Sequence, residues 1–564
     1  MNNPYSLNPR FPRRFLNRAG GVVVSLWAKT PVLSHDLEQR MQHTKHRAIV
    51  RTAILALAPM VGMGLVAAVA RADTFSEIKY TDLVARLGAA TPTGLGVGIG
   101  QVEANEAGTN YGPDTANAEF AGKTISLLSG AQPAPSGHAT EVARNLFGNT
   151  GSIAKGVTSI SCWSVNTWVT GGYLNVGSAA APAFPPAGVR VFNHSWIGSF
   201  GSSASDNDGL RRLDFTVTRD NLFVVAGTNN GAGSTGFPLM SYAFNSMSVG
   251  LASGNHGNAL TPAGIDGPNR RKPDIVAPGA FTSFATPVVG AAGALLFETA
   301  LRDASIASNP NAARALTLKT VIMAGTTHRP GWSNGAPTSG ATRGITTAPL
   351  DPLYGADLLN IDRAHRILTA GETNGSTIVQ PAVMAKHQGW DYIQTVASGG
   401  AYYWTFRVAQ PVDEMSVLAS WQRQVATNFA SWNMQDFDLK LSKLVNGVAT
   451  PISGDAGVGI FESGNCQSSS AIDNAEHLYL RNLAAGDYLL ELRRNAGTQS
   501  ALPVTVAWYL PNTPVFADLD GDQLVGASDI AIMLNQWGGP GSGDLNADGT
   551  VDAIDLAALL GNWG

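Results

Sequence analysis

Cysteine is scarce in this sequence, with only two among 564 residues. Cys162 and Cys466 lie in segments that we interpret as different domains, so the chain is not a small scaffold held together by disulfides. Charged residues are also sparse, at 14%, whereas hydrophobic residues make up 44%. That balance excludes a mainly disordered protein, and the length predicts three or four domains rather than a single binding module.

Most of the chain lacks an excess of basic residues. The sequence holds 37 basic and 41 acidic residues, but 10 of the basic and only 2 of the acidic ones fall within residues 1–72. The other 27 basic and 39 acidic residues carry a net charge of −12. Because a phosphate backbone requires a basic footprint, we expect no nucleic-acid partner.

The basic N-terminal segment has the organisation of an export signal. Three basic residues, the last of them Arg51, precede 19 uncharged residues at 52–70, and Ala70-Arg71-Ala72 offers small residues for cleavage. We therefore predict a leader and signal peptide over residues 1–72 and a secreted, periplasmic or cell-surface protein with no stable membrane span. An uncleaved anchor is the alternative, because 19 such residues can cross a bilayer.

Two hydrophobic patterns divide most of the remaining chain. Over residues 73–370, glycine-punctuated apolar runs such as Val97–Val102 and Leu222–Ala226 alternate with helical patterns. This predicts an α/β fold, a parallel sheet with helices on both faces. Residues 371–512 instead show strict alternation of apolar and polar residues over many short segments, which predicts an all-β sandwich.

Residues 513–564 form an internal repeat with a period of 26. The repeated residues are Asp518, Asp520, Asp522, Asp529 and Trp537, which recur as Asp544, Asn546, Asp548, Asp555 and Trp563. Oxygen-bearing side chains thus stand at positions one, three, five and twelve of each loop, joined in the second loop by Asp552 at position nine. This spacing is typical of a loop that wraps Ca²⁺. The alternative is two solvated, Asp-rich turns.

Ser283 stands just before a small, apolar run that predicts a buried helix. A serine hydroxyl needs an adjacent base to act as a nucleophile, and a helix N-terminus directs free N–H groups towards developing negative charge. We expect Pro287 in the first helical turn, where no N–H partner is lost. Taken alone, a serine at this position favours a helix N-cap over a nucleophile.

Three further segments place polar groups at the ends of predicted elements. His138 stands at a helix start, Glu103 ends the apolar strand that begins near Val97, and Asn229 follows a second strand. None of these is informative alone, because histidines are usually solvated and strand ends are often polar turns.

Together, the order acid, histidine, asparagine, serine resembles the subtilisin-like serine peptidases, the subtilases. His138–Ala143 is similar to the family's H-G-T-H-V-A motif, Phe281–Pro287 to G-T-S-M-A-[ST]-P, and Gly227–Gly231 to A-G-N-x-G. The resemblance covers about residues 90–368. It implies a subtilisin-like parallel sheet and an endopeptidase that acts on protein or peptide substrates.

The resemblance also implies a role for each matched residue. Ser283 would attack the peptide carbonyl, His138 would take and return the proton, and Asn229 would donate to the tetrahedral oxyanion. The triad acid would be Glu103, where the family carries Asp, with Glu106 as the nearest substitute. This departure, and the lack of room for a propeptide after residue 72, leave open a catalytically inactive subtilase fold that acts as a binding or assembly module.

The C-terminal segments carry weaker or different resemblances. The repeat resembles a type I dockerin, a small α-helical module, which implies bound Ca²⁺ and a cohesin-like cell-surface partner. The sandwich resembles the β-domains appended to secreted bacterial peptidases, and we assign it no chemistry. A further alternative makes the dockerin-like tail the main function and the rest its cargo.

Overall fold

A computed structural model describes residues 23–24, 74–257, 260–379, 382–511, 516–521 and 525–563. The predicted leader and signal peptide therefore lie outside the described residues, apart from the two-residue strand Val23–Val24, which pairs antiparallel with Gly198–Ser199. Asp522, predicted as a metal ligand, also lies outside them.

The N-terminal domain is built on a sheet of seven parallel strands. From one edge to the other the strands are Thr124–Leu127, Ser159–Ser164, Gly98–Glu103, Val189–His194, Phe223–Gly227, Met247–Leu251 and Ile275–Ala277. Most of the central positions are buried on both faces, as continuous apolar runs predict. The strands that end at Glu103, His194 and Gly227 are neighbours. Their C-terminal ends therefore lie side by side at the same end of the sheet.

Helices cover the two faces of this sheet, and the predicted α/β class is confirmed. The helices are Tyr80–Leu87, Gly137–Phe147, Ser203–Asp220, Thr282–Arg302, Ala315–Ala324 and Ile361–Thr369. Among the described residues, Thr282–Arg302 is long and apolar enough to cross a membrane, yet most of its surface is buried within the domain. Its small residues allow close approach: a Cβ at Gly293 would meet the Phe223 ring at 2.4 Å.

A sandwich of two β-sheets follows, as the alternating pattern predicts. One sheet contains, in order, Val383–Met384, Ala401–Val408, Gly486–Arg494, Phe437–Val445, Gln467–Ser468 and Ile345–Thr346, with Val448–Pro451 added beside Phe437–Val445. The other contains Gln388–Ile393, Val504–Tyr509, Val412–Trp421, Ala475–Leu483 and Ser463–Asn465. Trp404, Phe406 and Val408 point inward together, in agreement with their period of two.

The sandwich is packed firmly against the parallel-sheet domain. Strand Ile345–Thr346 comes from the segment assigned to that domain but pairs with the sandwich strand Gln467–Ser468. Trp390, Leu418 and Ala507 of the sandwich belong to the same apolar cluster as the core of the parallel sheet. The two domains therefore share a core.

The C-terminal repeat forms two short helices, Ala527–Asn535 and Ala553–Leu560, each preceded by its acidic loop. Its small core contains Ala517, Val525, Met533, Val551 and Leu559. Both cysteines, Cys162 and Cys466, are buried and unpaired.

Candidate active site

Glu103 ends a buried strand and points its carboxylate at His138. The Glu103 Oε2 atom lies 3.0 Å from His138 Nδ1. The other oxygen, Oε1, accepts a hydrogen bond from Gln101 Nε2 at 3.2 Å, and the same amide donates to the Ala139 carbonyl at 2.9 Å. Gln101 thus ties the acid to the helix that carries the histidine. Gln101 was not among the predicted site residues, although Gln101 and Glu103 lie two residues apart on one face of the strand.

His138 is the second residue of the helix Gly137–Phe147, which Ser136 caps by accepting a hydrogen bond from the Ala139 N–H at 3.0 Å. Burial lowers the pKa of the His138 imidazole, but the charge of Glu103, the hydrogen bond to it and the charge of Glu106 together outweigh this effect. The pKa is therefore raised above its ordinary value.

Glu106 lies beside the same helix start but does not contact the imidazole. Its Oε2 accepts from Ser136 Oγ at 2.7 Å and from the His138 backbone N–H at 3.2 Å. Burial raises the Glu106 pKa, but these hydrogen bonds, one from the Gly137 N–H and the charge of His138 bring it below its ordinary value. Glu103, rather than Glu106, therefore occupies the position of the acid next to the ring.

Ser283 is the second residue of the helix Thr282–Arg302. Asn230 holds the start of this helix, since its Oδ1 accepts from both the backbone N–H and the Oγ1 of Thr282, each at 2.8 Å. The Ser283 hydroxyl donates to the Ser195 carbonyl at 3.4 Å rather than to His138. The next residue, Phe284, borders the imidazole, with ring centroids 6.0 Å apart. Ser283 is therefore the sequence neighbour of a residue that lies beside the His138 ring.

Pro287 lies inside the Ser283 helix, at its sixth residue, and not in the first turn. The expectation from the sequence was therefore wrong, because the helix begins at Thr282. In a regular helix, the N–H of residue 287 would donate to the Ser283 carbonyl, four residues earlier. Proline has no N–H, so this hydrogen bond is missing. The Ser195 Oγ donates to this carbonyl at 2.9 Å instead.

The Ser283 backbone N–H and the Asn229 side-chain amide differ in their hydrogen-bond partners. The Ser283 backbone N–H donates to no acceptor among the described residues. Asn229 follows the strand Phe223–Gly227, and its Nδ2 donates one hydrogen bond, to Ser234 Oγ. Because an amide NH₂ carries two hydrogens, the second Asn229 hydrogen remains for another acceptor.

The first loop of the C-terminal repeat gathers three carboxylates. One oxygen each from Asp518, Asp520 and Asp529 lies within 4.8 Å of the others. Ca²⁺ ligands lie about 2.3–2.6 Å from the ion, so oxygens on opposite sides of it are about 5 Å apart. The cluster therefore has dimensions that fit Ca²⁺. Asp529 is buried and accepts from the backbone N–H groups of Leu519 at 2.6 Å and Gly526 at 2.7 Å.

In the second loop, Asp555 repeats the backbone hydrogen bonds of Asp529. Asp555 is buried and accepts from the N–H groups of Asp552 at 2.8 Å, Leu545 at 2.7 Å and Asn546 at 3.1 Å, which lower its pKa. The other predicted ligands in this loop, Asp544, Asn546 and Asp548, each accept a backbone hydrogen bond within the loop. The second oxygen of Asp544 accepts from the Gly549 N–H. Asp552 also caps the helix Ala553–Leu560 by accepting from Ile554 N–H at 2.7 Å.

The apolar residues of the repeat divide between core and surface. The equivalent residues Met533 and Leu559 are fully buried, whereas Leu534 and Leu560 are about half exposed. The equivalent tryptophans Trp537 and Trp563 are also about half exposed. The two helices thus leave large apolar side chains on the surface at equivalent positions.

Residues 129–345 match the Peptidase_S8 model of the subtilase family. The matched segment contains His138, Asn229 and Ser283 and begins after Glu103. The seven-stranded parallel sheet flanked by helices confirms the predicted α/β class. No curated protein is detectably similar to the chain in sequence.

Several solved structures also align with the chain. A serine protease of Aeromonas sobria matches 74% of this chain and 88% of its own, with 13% identity and a TM-score of 0.33. A cold-adapted subtilisin-like serine proteinase matches 48% and 89%, with 19% identity and a TM-score of 0.29. Fervidolysin from Fervidobacterium pennivorans, described as a keratinolytic enzyme related to subtilisin, matches 73% and 63%, with 12% identity and a TM-score of 0.33.

Proposed function

We propose that this protein is a serine endopeptidase that hydrolyses peptide bonds with Ser283 as nucleophile, His138 as general base and Glu103 as the triad acid. The observation that carries the proposal is the 3.0 Å contact between Glu103 Oε2 and His138 Nδ1, with Phe284, the residue after Ser283, beside the imidazole. A histidine so oriented donates its Nδ1 proton to the acid and leaves Nε2 with a lone pair for the serine hydroxyl.

The residues divide the reaction as follows. The Ser283 hydroxyl leaves the Ser195 carbonyl and turns to His138, which takes its proton as the oxygen attacks the substrate carbonyl. The Ser283 N–H and the second Asn229 hydrogen stabilise the resulting oxyanion, and Glu103 stabilises the imidazolium. His138 then returns the proton to the leaving amine, and a water molecule repeats the sequence on the acyl-enzyme.

Hydrolysis of a peptide library with mass-spectrometric detection of new N-termini tests this proposal. The wild type should cleave, and Ser283→Ala should lose about 10³-fold or more of kcat. Ser305→Ala serves as the matched control, because Ser305 is exposed and its hydroxyl bonds only Asp303 among the described residues. Cleavage that survives Ser283→Ala would refute the assignment.

A second candidate is an inactive subtilase fold that serves as a binding or assembly module. The Ser283 hydroxyl favours it, because this group donates to the Ser195 carbonyl and not to His138. A folded, Ca²⁺-replete protein that cleaves no member of the library would support this candidate.

The C-terminal repeat is proposed to bind two Ca²⁺ ions. The residues that would hold them are Asp518, Asp520, Asp522 and Asp529 in the first loop, and Asp544, Asn546, Asp548, Asp552 and Asp555 in the second. The clustered oxygens of Asp518, Asp520 and Asp529 support this. The ion would neutralise the carboxylates and fix the loops against their helices.

We further propose that the protein is exported and that the repeat docks onto a cohesin-like partner at the cell surface. The half-exposed Trp537 and Trp563 support a docking role. Calorimetry with a purified cohesin domain should show binding that Asp548→Ala together with Asp555→Ala abolishes. N-terminal sequencing of the mature protein should begin at Asp73 if the predicted signal is removed.

A further inference from the structure

We propose that Ser195 is a positioning residue that holds the nucleophile in place through the Ser283 carbonyl, which Pro287 leaves without a helical partner. This inference rests on the proposed function, because it assigns Ser195 to the alignment of Ser283 for attack. Ser195 contributes no proton to the reaction.

The need for such a residue follows from the position of the proline. In a regular helix the N–H of residue 287 would donate to the carbonyl of residue 283. Proline has no N–H, and its ring also pushes that carbonyl outward. The residue whose backbone loses its helical bond is therefore the nucleophile itself.

Ser195 supplies the missing donor from the sheet. Its Oγ lies 2.9 Å from the Ser283 carbonyl oxygen, while the Ser283 Oγ lies 3.4 Å from the Ser195 carbonyl oxygen. The two residues are 88 positions apart in sequence, so this reciprocal pair joins the end of a central strand to the start of the helix.

Asn193 fixes the direction of the Ser195 hydroxyl. The Asn193 Nδ2 donates to Ser195 Oγ at 3.0 Å, so the single hydroxyl proton is directed to the Ser283 carbonyl. Asn193 is fully buried on the strand Val189–His194, and Ser195 is almost fully buried directly after it. A buried and oriented donor of this kind costs little reorganisation when the nucleophile reacts.

Loss of this bond should affect turnover more than substrate binding. Without the Ser195 hydroxyl, the Ser283 carbonyl loses this donor and the first turn of the helix can shift. A shift of an ångström or less in a nucleophile costs about 10- to 100-fold in rate. We expect Ser195→Ala to lower kcat by that factor and to change KM by less than about twofold.

A double-mutant cycle with Pro287→Ala tests the proposal directly. Alanine restores an N–H at residue 287, which can bond the Ser283 carbonyl in the regular helical manner. The loss on Ser195→Ala should therefore shrink to about twofold in the Pro287→Ala background. Ser195→Thr, which keeps the hydroxyl, should recover most of the wild-type kcat.

The measured quantities are kcat and KM for peptide hydrolysis and the rate of Ser283 labelling by a fluorophosphonate, with thermal unfolding to confirm folding. Ser248→Ala is the control for removing a hydroxyl from a buried serine. The Ser248 hydroxyl has no hydrogen-bond partner among the described residues, so its loss should leave kcat unchanged. Equal losses in the two backgrounds, or no loss in either, would overturn the positioning role alone. An unreactive wild type would overturn the proposed function as well.

Discussion

The carboxylate of Glu103 contacts the imidazole of His138, with 3.0 Å between Oε2 and Nδ1, at the end of a fully buried strand. The acid is one methylene longer than the aspartate of the resembling family. Gln101 Nε2 donates to its second oxygen at 3.2 Å, so both carboxylate oxygens have a partner.

We expect Glu103→Gln to lower kcat about 10⁴-fold with little change in KM, because the amide favours the wrong imidazole tautomer and cannot stabilise the imidazolium. Glu103→Asp should lower kcat less, because the charge is kept but the shorter side chain cannot reach Nδ1 without a shift of the strand. Steady-state kinetics check both variants. Equal activity of Glu103→Gln and the wild type would exclude Glu103 as the triad acid.

The raised pKa of His138 predicts the acid limb of the pH profile. The general base must be neutral, so kcat/KM should rise as pH increases through this raised pKa. Glu106→Gln removes one of the charges that raise the His138 pKa, so the acid limb should move to lower pH. A shift to higher pH would contradict this account.

Glu141→Gln is the control for the pH measurement. Glu141 lies on the same helix, but its carboxylate is paired with Arg144 at 2.7 Å and its side chain is 45% exposed. The acid limb should stay at the wild-type pH in this variant, because solvent screens such a charge from the imidazole.

The β-sandwich should be required for stability of the catalytic domain. Arg423 of the sandwich is fully buried against Asp214, with Nη2 2.6 Å from Oδ2, and its Nη1 lies 2.7 Å from an oxygen of Asp266. Removing one partner leaves a buried charge unpaired, so Arg423→Ala should lower the free energy of unfolding by about 3–5 kcal/mol.

The control for this prediction is Arg407→Ala. Arg407 pairs with Asp487 at 3.0 Å, but both side chains are more than a third exposed. Its loss should cost at most about 1 kcal/mol. Denaturant unfolding followed by tryptophan fluorescence measures both variants, and a similar cost for the two would show that the Arg423 contact does not join the domains.

Calcium stoichiometry tests the two loops of the repeat separately. We expect two bound ions in the wild type and one in either Asp520→Ala or Asp548→Ala, because each loop would lose a carboxylate ligand. Isothermal titration of chelator-treated protein measures this, with Asp413→Asn, an exposed sandwich aspartate, as the control. Two ions in Asp520→Ala would contradict a role for the Asp518, Asp520 and Asp529 cluster.

The parts of the site that could be predicted from the sequence are those set by single elements. Glu103 ends one apolar strand, Asn229 follows another and His138 opens a helix, and all three lie where the patterns placed them. Because the strands are parallel, their C-terminal ends share one edge of the sheet, so convergence also follows from the predicted fold.

The parts that could not be predicted depend on contacts between distant segments. The bond from Ser195 to the Ser283 carbonyl and the pairing of Ile345–Thr346 with a sandwich strand join residues about 90 and 120 positions apart. The prediction that Pro287 lies in the first helical turn was wrong because the helix begins at Thr282. That start depends on Asn230, which accepts from the Thr282 N–H and belongs to another loop. Local patterns contain no information on such partners.

The most direct test of the account is the reaction of the folded protein with a fluorophosphonate, followed by peptide mapping. The account predicts one label per chain, on Ser283, that disappears in Ser283→Ala and forms slowly in His138→Ala. No label in folded protein, or a label on another serine that persists in Ser283→Ala, would contradict the assignment of Ser283, His138 and Glu103 as a catalytic triad.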